Sequence, residues 1–311
     1  MLSYYKTVDG RITRIDSRQK DCWVNLVTPT EEELNQIMED FSIDPSFIRS
    51  ALDEEEISRI ESEDGITLII VDFPVAEKQE NTILYSTLPL GIIVTPDAVI
   101  TLSGKENLVL NEFADGLVKN VNTHMKTRFI LQLLLRIAGR YLAYLKQIDK
   151  ISGFVEKQLH KSLRNKEIIQ LMDIGKSLVY FSASLKATEV TLQKMQSGRY
   201  IRMYEEDMDL LDDVLIEIRQ ADDMANIYSS ILNGTMDAFA SIISNNLNVV
   251  MKILTSLTIL MAIPTVVSSF YGMNIGGNGM PFAQFWWFPI LLSALLVVLG
   301  AYILDKFNML K

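Results

Sequence analysis

Between Ile253 and Leu304 the chain holds no Asp, Glu, Lys or Arg. Of its 39 acidic and 29 basic residues, only Asp305, Lys306 and Lys311 lie beyond that run. A neutral, apolar run of about fifty residues is too long for one membrane span and suits two. Cysteine is almost absent: Cys22 stands alone, so there is neither a disulfide framework nor a thiolate metal site. The two histidines, His124 and His160, lack ligand-like spacing, which argues against a histidine zinc site within one copy. No Ser/His/Asp or Cys/His arrangement and no glycine-rich phosphate loop with a lysine is present, so neither an enzyme nor an ATP-driven machine is expected. The acidic balance before the run disfavours nucleic acid, whose phosphates need a basic face. It suits handling of cations, and it serves ordinary solubility equally well.

The N-terminus, Met1-Leu2-Ser3-Tyr4-Tyr5-Lys6, lacks the basic-then-apolar pattern of a secretory signal. Lys252 precedes the first expected span, Lys306 and Lys311 follow the second, and the turn between them has no lysine or arginine. Under the positive-inside rule both termini face the cytoplasm, giving a two-span protein of the cytoplasmic membrane.

The first hundred residues mix strands and helices. Arg11–Ile15, Trp23–Val27, Ile66–Val71, Leu90–Val94 and Ala98–Leu102 read as strands bounded by turn residues. Thr30 caps one helix and Asp44-Pro45 opens another. From about Phe129 the pattern turns wholly helical, with Ile130, Leu133, Leu134, Ile137, Tyr141, Tyr144, Leu145 and Ile148 at three- to four-residue spacing. A second helix runs from about Glu167 to Met195. The third starts near Glu205 and meets no proline before Pro264, with Gly234 its only glycine. Continued into the membrane, that rod reaches on the order of 100 Å and needs partners, identical copies being the simplest.

In the first span, Asn248, Met251, Thr255, Thr258, Ala262, Thr265 and Ser269 recur at helical spacing and form a stripe of small or polar residues. Such a stripe must face protein or water. Tight helix packing would account for it, and so would a pore wall. Two helices cannot enclose a pore, so the pore reading needs an oligomer, which the long rod needs independently. At Tyr271-Gly272-Met273-Asn274 the helix is expected to stop, with Gly272 letting carbonyls approach an axis and Asn274 offering a neutral oxygen. A ring of neutral oxygens suits Mg²⁺, which keeps its waters. Phe282, Phe285, Trp286, Trp287 and Phe288 read as an interfacial belt before a lipid-facing second span.

Tyr-Gly-Met-Asn at the end of the first of two C-terminal spans, after a long helix and an α+β domain, resembles the CorA family of magnesium channels. The resemblance covers the whole length in architecture, most strongly from Asn248-Val249-Val250-Met251-Lys252 through Pro264 to Asn274. It implies a funnel-shaped homopentamer whose first span lines the pore and whose Gly-Met-Asn segment forms the outer selectivity filter. Asn248, Met251, Leu254, Ala262, Thr265, Gly272 and Asn274 would then face the path, with Met251 and Leu254 in a constriction that gates by dewetting. It also implies inhibitory Mg²⁺ sites between cytoplasmic domains, at Asp64 and Asp213, with Glu63 and Asp212 as register alternatives. Mg²⁺ is thus implied both as cargo and as regulator.

The chain departs from the family in three places. Its outer loop, Ile275 to Pro281, has no acid and carries Gly276-Gly277, a feature of the related zinc-transporting branch. Ala262 stands where the family often has Met. The tail has only Lys306 and Lys311 where a basic cluster is common. The expected organisation is an α+β cytoplasmic domain (1–128), a helical region with the long stalk (129–247), a pore span (248–274), an outer loop (275–285), a second span (286–304) and a cytoplasmic tail (305–311). The expected function is passive Mg²⁺ import, with Co²⁺ or Ni²⁺ as surrogates. A zinc transporter on the same scaffold and a membrane-anchored cytoplasmic sensor are the alternatives.

Overall fold

Two-residue alternation decides which face of the sheet each side chain occupies. In β3 (Cys22–Val27), Cys22, Val24 and Leu26 point to one face and the fully buried Trp23 to the other. The computed structural model describes residues 1–79, 82–162, 165–273, 282 and 285–309. Around β3 it builds one seven-stranded sheet from β1 (Leu2–Val8), β2 (Arg11–Ile15), β4 (Arg59–Glu63), β5 (Ile66–Gln79), β6 (Thr82–Val94) and β7 (Ala98–Ser103). The order is β2-β1-β3-β7-β6-β5-β4; β3 and β7 pair in parallel and the remaining neighbours antiparallel.

One face is covered by α1 (Glu31–Phe41) and α2 (Pro45–Leu52), whose Ile37, Phe41, Phe47, Ile48 and Ala51 join Val24, Leu26, Leu68 and Ile100 in a continuous core. Both helices start as their sequences require. Thr30 and Glu33 form a capping box, and the Asp44 side chain accepts from the Ser46 N–H ahead of Pro45. Gly91 in β6 lets α2 come close, because a Cβ there would lie 2.3 Å from the Ala51 Cβ. On the opposite face Trp23 packs against Phe113 of α3 (Leu108–Ala114) and Phe129 of α4 (Lys126–Ser162). Its indole Nε1–H donates to Thr101 Oγ1 at 2.8 Å, so the buried donor is satisfied.

Beyond α4 come α5 (Asn165–Gln196), α6 (Glu205–Tyr271, 67 residues, with Pro264 inside) and α7 (Phe288–Lys306). The α+β domain and these helices are as the sequence predicts, with two long apolar helices at the C-terminal end. The chain divides into two compact units, Met1–Asn233 and Gly234–Lys311. In the first, α5 runs antiparallel to the start of α6: Arg219 donates from Nε to Glu189 at 2.6 Å, and Ser182 donates to Asp222 at 2.6 Å. A Cβ on Gly175 would stand 3.3 Å from Leu232.

Candidate functional site

In the second unit α7 packs along one side of α6, and the burial pattern shows which side. Ser256 is fully buried and Val267 is 8% exposed, while Leu260, Ile263 and Tyr271 are half-buried. At about 100° per residue these five fall within an arc of roughly 80°. Gly300 of α7 sits against this arc, where a Cβ would meet Ile263 at 3.1 Å and Leu260 at 3.4 Å. This is also the turn at which Pro264 removes the N–H that would otherwise serve the Leu260 carbonyl.

Asn248, Met251, Thr255, Thr258, Ala262, Thr265 and Ser269 are all exposed, as is Leu254, which the family resemblance adds to them. By the same helical rotation they fill an arc of about 120°, centred roughly opposite the arc that α7 covers. The sequence-derived stripe thus lies within the wide side of α6 that α7 leaves bare, a side that also carries the exposed Leu257, Met261 and Val266. Met251 is 52% and Leu254 54% exposed, well above what a packed apolar side chain shows. Two polar rungs have defined geometry: Thr258 donates its hydroxyl proton to the Leu254 carbonyl at 2.8 Å, and Thr265 donates to Met261 at 3.2 Å.

At the end of the helix the Gly272 N–H still reaches the Ser268 carbonyl at 2.9 Å, and the Met273 N–H reaches Phe270 at 3.3 Å. The φ of Gly272 lies outside the left-handed region. A Cβ there would sit 3.2 Å from the Ser268 carbonyl oxygen, the one that the Gly272 N–H bonds. Tyr271 packs on Phe288 with ring centroids 6.1 Å apart, and Phe288 in turn meets Phe282 and Trp287. Met273 is exposed. Asn274 and the loop residues Ile275 to Pro281 lie outside the described residues.

The tail supplies a contact that the sequence did not announce. Asn308 adopts a left-handed conformation (φ 53), and the Met309 N–H turns back to the Leu304 carbonyl at 2.9 Å. This aims the Met309 carbonyl at α6, where the buried Ser256 hydroxyl donates to it at 3.0 Å. Ser256 is out of phase with the polar stripe, and that phase difference is the one signal that could have singled it out.

The acidic residues belong to the first unit. Asp64 and Gly65 form the β4–β5 turn, both at positive φ (48 and 80), and Glu63 and Asp64 are exposed. Asp212 and Asp213 are exposed on α6, flanked by the buried Leu211, Val214 and Leu215. Among the described residues no group of three or more His, Cys, Asp or Glu is placed to hold a metal. Beside the Gly65 turn lies a cavity of about 720 Å³ whose lining includes Lys126, Arg128, Tyr200, Arg202 and Asp207. Burial raises the Asp207 carboxyl, with Arg128 at 3.9 Å opposing and the Glu206 charge adding to the rise.

Residues 18–306 match the family described as CorA-like Mg2+ transporter protein. The cobalt/magnesium transport protein CorA of Methanocaldococcus jannaschii is 26% identical over 296 residues, covering 91% of this chain and 90% of that protein. The complete structure of the CorA magnesium transporter from the same organism superposes with a TM-score of 0.83 at 22% identity, over 99% of this chain and 96% of the other. The cytoplasmic domain of ZntB from Vibrio parahaemolyticus aligns over 78% of this chain and 98% of its own length, with a TM-score of 0.60 at 11% identity. Two apolar C-terminal helices, a bare polar stripe on the first of them and a Tyr-Gly-Met-Asn segment at its end stand on a chain matched over nearly its whole length, and the protein belongs to the CorA-like Mg²⁺ transporter family.

Proposed function

We propose that the chain assembles as a funnel-shaped homopentamer in the cytoplasmic membrane and lets Mg²⁺ pass passively into the cytoplasm, with Co²⁺ or Ni²⁺ as surrogates. The observation that carries this reading is the placement of the two stripes. α7 covers one side of the first span, and the opposite side presents Asn248, Met251, Leu254, Thr258, Ala262, Thr265 and Ser269 unpacked. Polar side chains in a span must meet protein or water; Thr258 and Thr265 bond back to carbonyls of α6, and the stripe residues, Asn248 among them, are left exposed by α7. Identical copies arranged around an axis would give the stripe a common water-filled path. Tyr271, Gly272, Met273 and Asn274 would form its outer mouth, where neutral oxygens accept hydrogen bonds from the ion's hydration shell.

Regulation follows from the acids of the first unit. On α6, Asp213 shares an exposed face with Ile216, Ile227 and Ile231, each more than half exposed. Bare aliphatic side chains beside an acid suit an interface between copies. There Asp213 of one copy and Asp64 of the next, with Asp212 and Glu63 as register alternatives, would hold cytoplasmic Mg²⁺ and keep the path closed. Zinc as the cargo is the second reading, favoured by the acid-free outer loop with its Gly276-Gly277.

The test is flux into liposomes bearing the purified protein, followed with Mg²⁺- and Zn²⁺-selective dyes with and without a proton gradient. Mg²⁺ entry that needs no gradient is expected, and Asn274→Ala should abolish its selectivity while the oligomer persists. Zn²⁺ entry without Mg²⁺ entry would sink the magnesium reading; no entry of either ion would sink transport.

A further inference from the structure

We infer that the turn end of the α4–α5 hairpin is a docking surface for anionic lipid headgroups, carried by Lys157, Lys161 and Lys166 with Phe154 and Ile169 beside them. The inference is independent of which ion passes and rests only on the chain's being a membrane protein.

Within the first unit the two helices run antiparallel. Tyr85 donates from its N–H to Ser177 of α5 and from its hydroxyl to Gln147 of α4, and the Tyr141 hydroxyl of α4 meets Ser184 of α5 at 2.8 Å. α5 lies in turn against the start of α6, with Gly175 at Leu232. The turn end of the hairpin is therefore the end of the unit from which α6 departs, after Asn233, toward the neutral run that starts at Ile253.

The chain has a net charge of −10, yet residues 146–167 hold six basic residues against three acidic ones. On α4, Lys146, Lys150, Phe154, Lys157 and Lys161 recur every three or four residues and fall within an arc of about 80°. All five are exposed. The acids of that stretch of α4, Asp149 and Glu156, lie about 100° or more from the centre of the arc. Lys166, also exposed, stands in the first turn of α5, and Ile169 follows three residues later. Phe154 and Ile169 are each more than half exposed. Among the described residues none of these five lysines forms an ion pair, whereas Lys176, farther along α5, pairs with Asp173 at 3.7 Å. An acidic chain thus leaves a group of cations without carboxylates at one place, and that place is the end facing the chain's path to the membrane. Lysines are drawn to the negative surface of a leaflet within about a Debye length, and bare apolar side chains among them can enter the headgroup boundary. An acidic protein face would also take the lysines, but the position of the turn favours the lipid.

The experiment maps lysine acetylation by mass spectrometry on the full-length protein in nanodiscs, of phosphatidylcholine alone or with about a third of the anionic phosphatidylglycerol. A nanodisc offers the same lipid on both faces, so the outcome does not depend on which side of a membrane the unit occupies. With the anionic lipid, Lys157, Lys161 and Lys166 should react about five-fold more slowly. About 1 M salt, which shortens screening to ~3 Å, should abolish that difference. Lys186 and Lys194, exposed on α5 about 30 Å or more from Lys166, should react alike in both discs. A polarity-sensitive dye on Asn165→Cys, with Cys22 buried, should shift its emission to the blue in the anionic discs. The shift should vanish when Lys157→Glu, Lys161→Glu and Lys166→Glu are added, and a shift that survives them would overturn the role of the lysines. Equal acetylation at the turn in both lipids would overturn the inference. Slow acetylation shared by neutral discs and detergent would also overturn it, assigning the lysines to an acidic face of another copy.

Discussion

Asp72 of β5 illustrates how one buried carboxyl sets a pH dependence. Tyr141 of α4 donates to the Asp72 carbonyl at 3.3 Å, and the Tyr141 hydroxyl lies 2.8 Å from Ser184 of α5. Burial pushes the Asp72 carboxyl above its ordinary value, and a hydrogen bond from Ser184 pulls it only partly back. Burial, and then the nearby Asp72 charge, holds the Tyr141 phenol well above its own ordinary value. A raised folded value means that the native state binds the Asp72 proton more tightly than the unfolded chain does. The group's contribution is therefore fully present below the unfolded carboxylate value and is lost as pH rises through the folded one. Asp72→Asn removes the charge while keeping an acceptor for Ser184. It should raise the Tm at neutral pH, with the gain shrinking as pH falls toward about 4. Thermal unfolding across that range checks it, and a pH-independent difference would assign the effect to packing alone.

At the scale of elements, close approach and the hydrogen bond from Ser256 to the Met309 carbonyl help to hold the α6–α7 hairpin. Ser256→Ala leaves the Met309 carbonyl without its donor, at a cost of about 1–3 kcal/mol. Hydrogen exchange at the amides of residues 305–309 should speed up in that variant, and unchanged protection would show that the tail is held by α7 alone. This contact was illegible in the sequence because it joins residues 53 apart through a backbone carbonyl. The stripe on α6 was legible because a three- to four-residue period needs nothing beyond the helix itself. In the α+β domain, β3, β6 and β7 showed as apolar runs, and α1 and α2 showed through Thr30 and Asp44. The strand β4, Arg59-Ile60-Glu61-Ser62-Glu63, was missed because an edge strand carries charge instead of alternation. The strand β1 was missed because its half-buried tyrosines blur the pattern, and α3 because seven residues are too few to show a period.

For the whole molecule, the two spans are almost bare, with 6% of each apolar window buried. Lipid can cover the outward side, and Thr258 and Thr265 bond back to their own helix, but lipid cannot satisfy the side-chain amide of Asn248. If Mg²⁺ between copies closes the path, Asp213→Asn should leave Mg²⁺ entry intact while raising the internal Mg²⁺ concentration needed to stop it. A protease-protection titration with Mg²⁺ should shift in the same direction, and an unshifted midpoint in both assays would remove Asp213 from regulation. The lone cysteine has a consequence at this scale too. Cys22 is fully buried in the sheet, where burial raises its thiol above the ordinary value. A folded preparation is therefore nearly blind to thiol reagents without any engineering. A single cysteine placed on the exposed stripe becomes the one reactive sulfur per copy, so one maleimide dye attached there would count the copies in an assembly by stepwise bleaching, and a maleimide applied from either side could report how far water reaches.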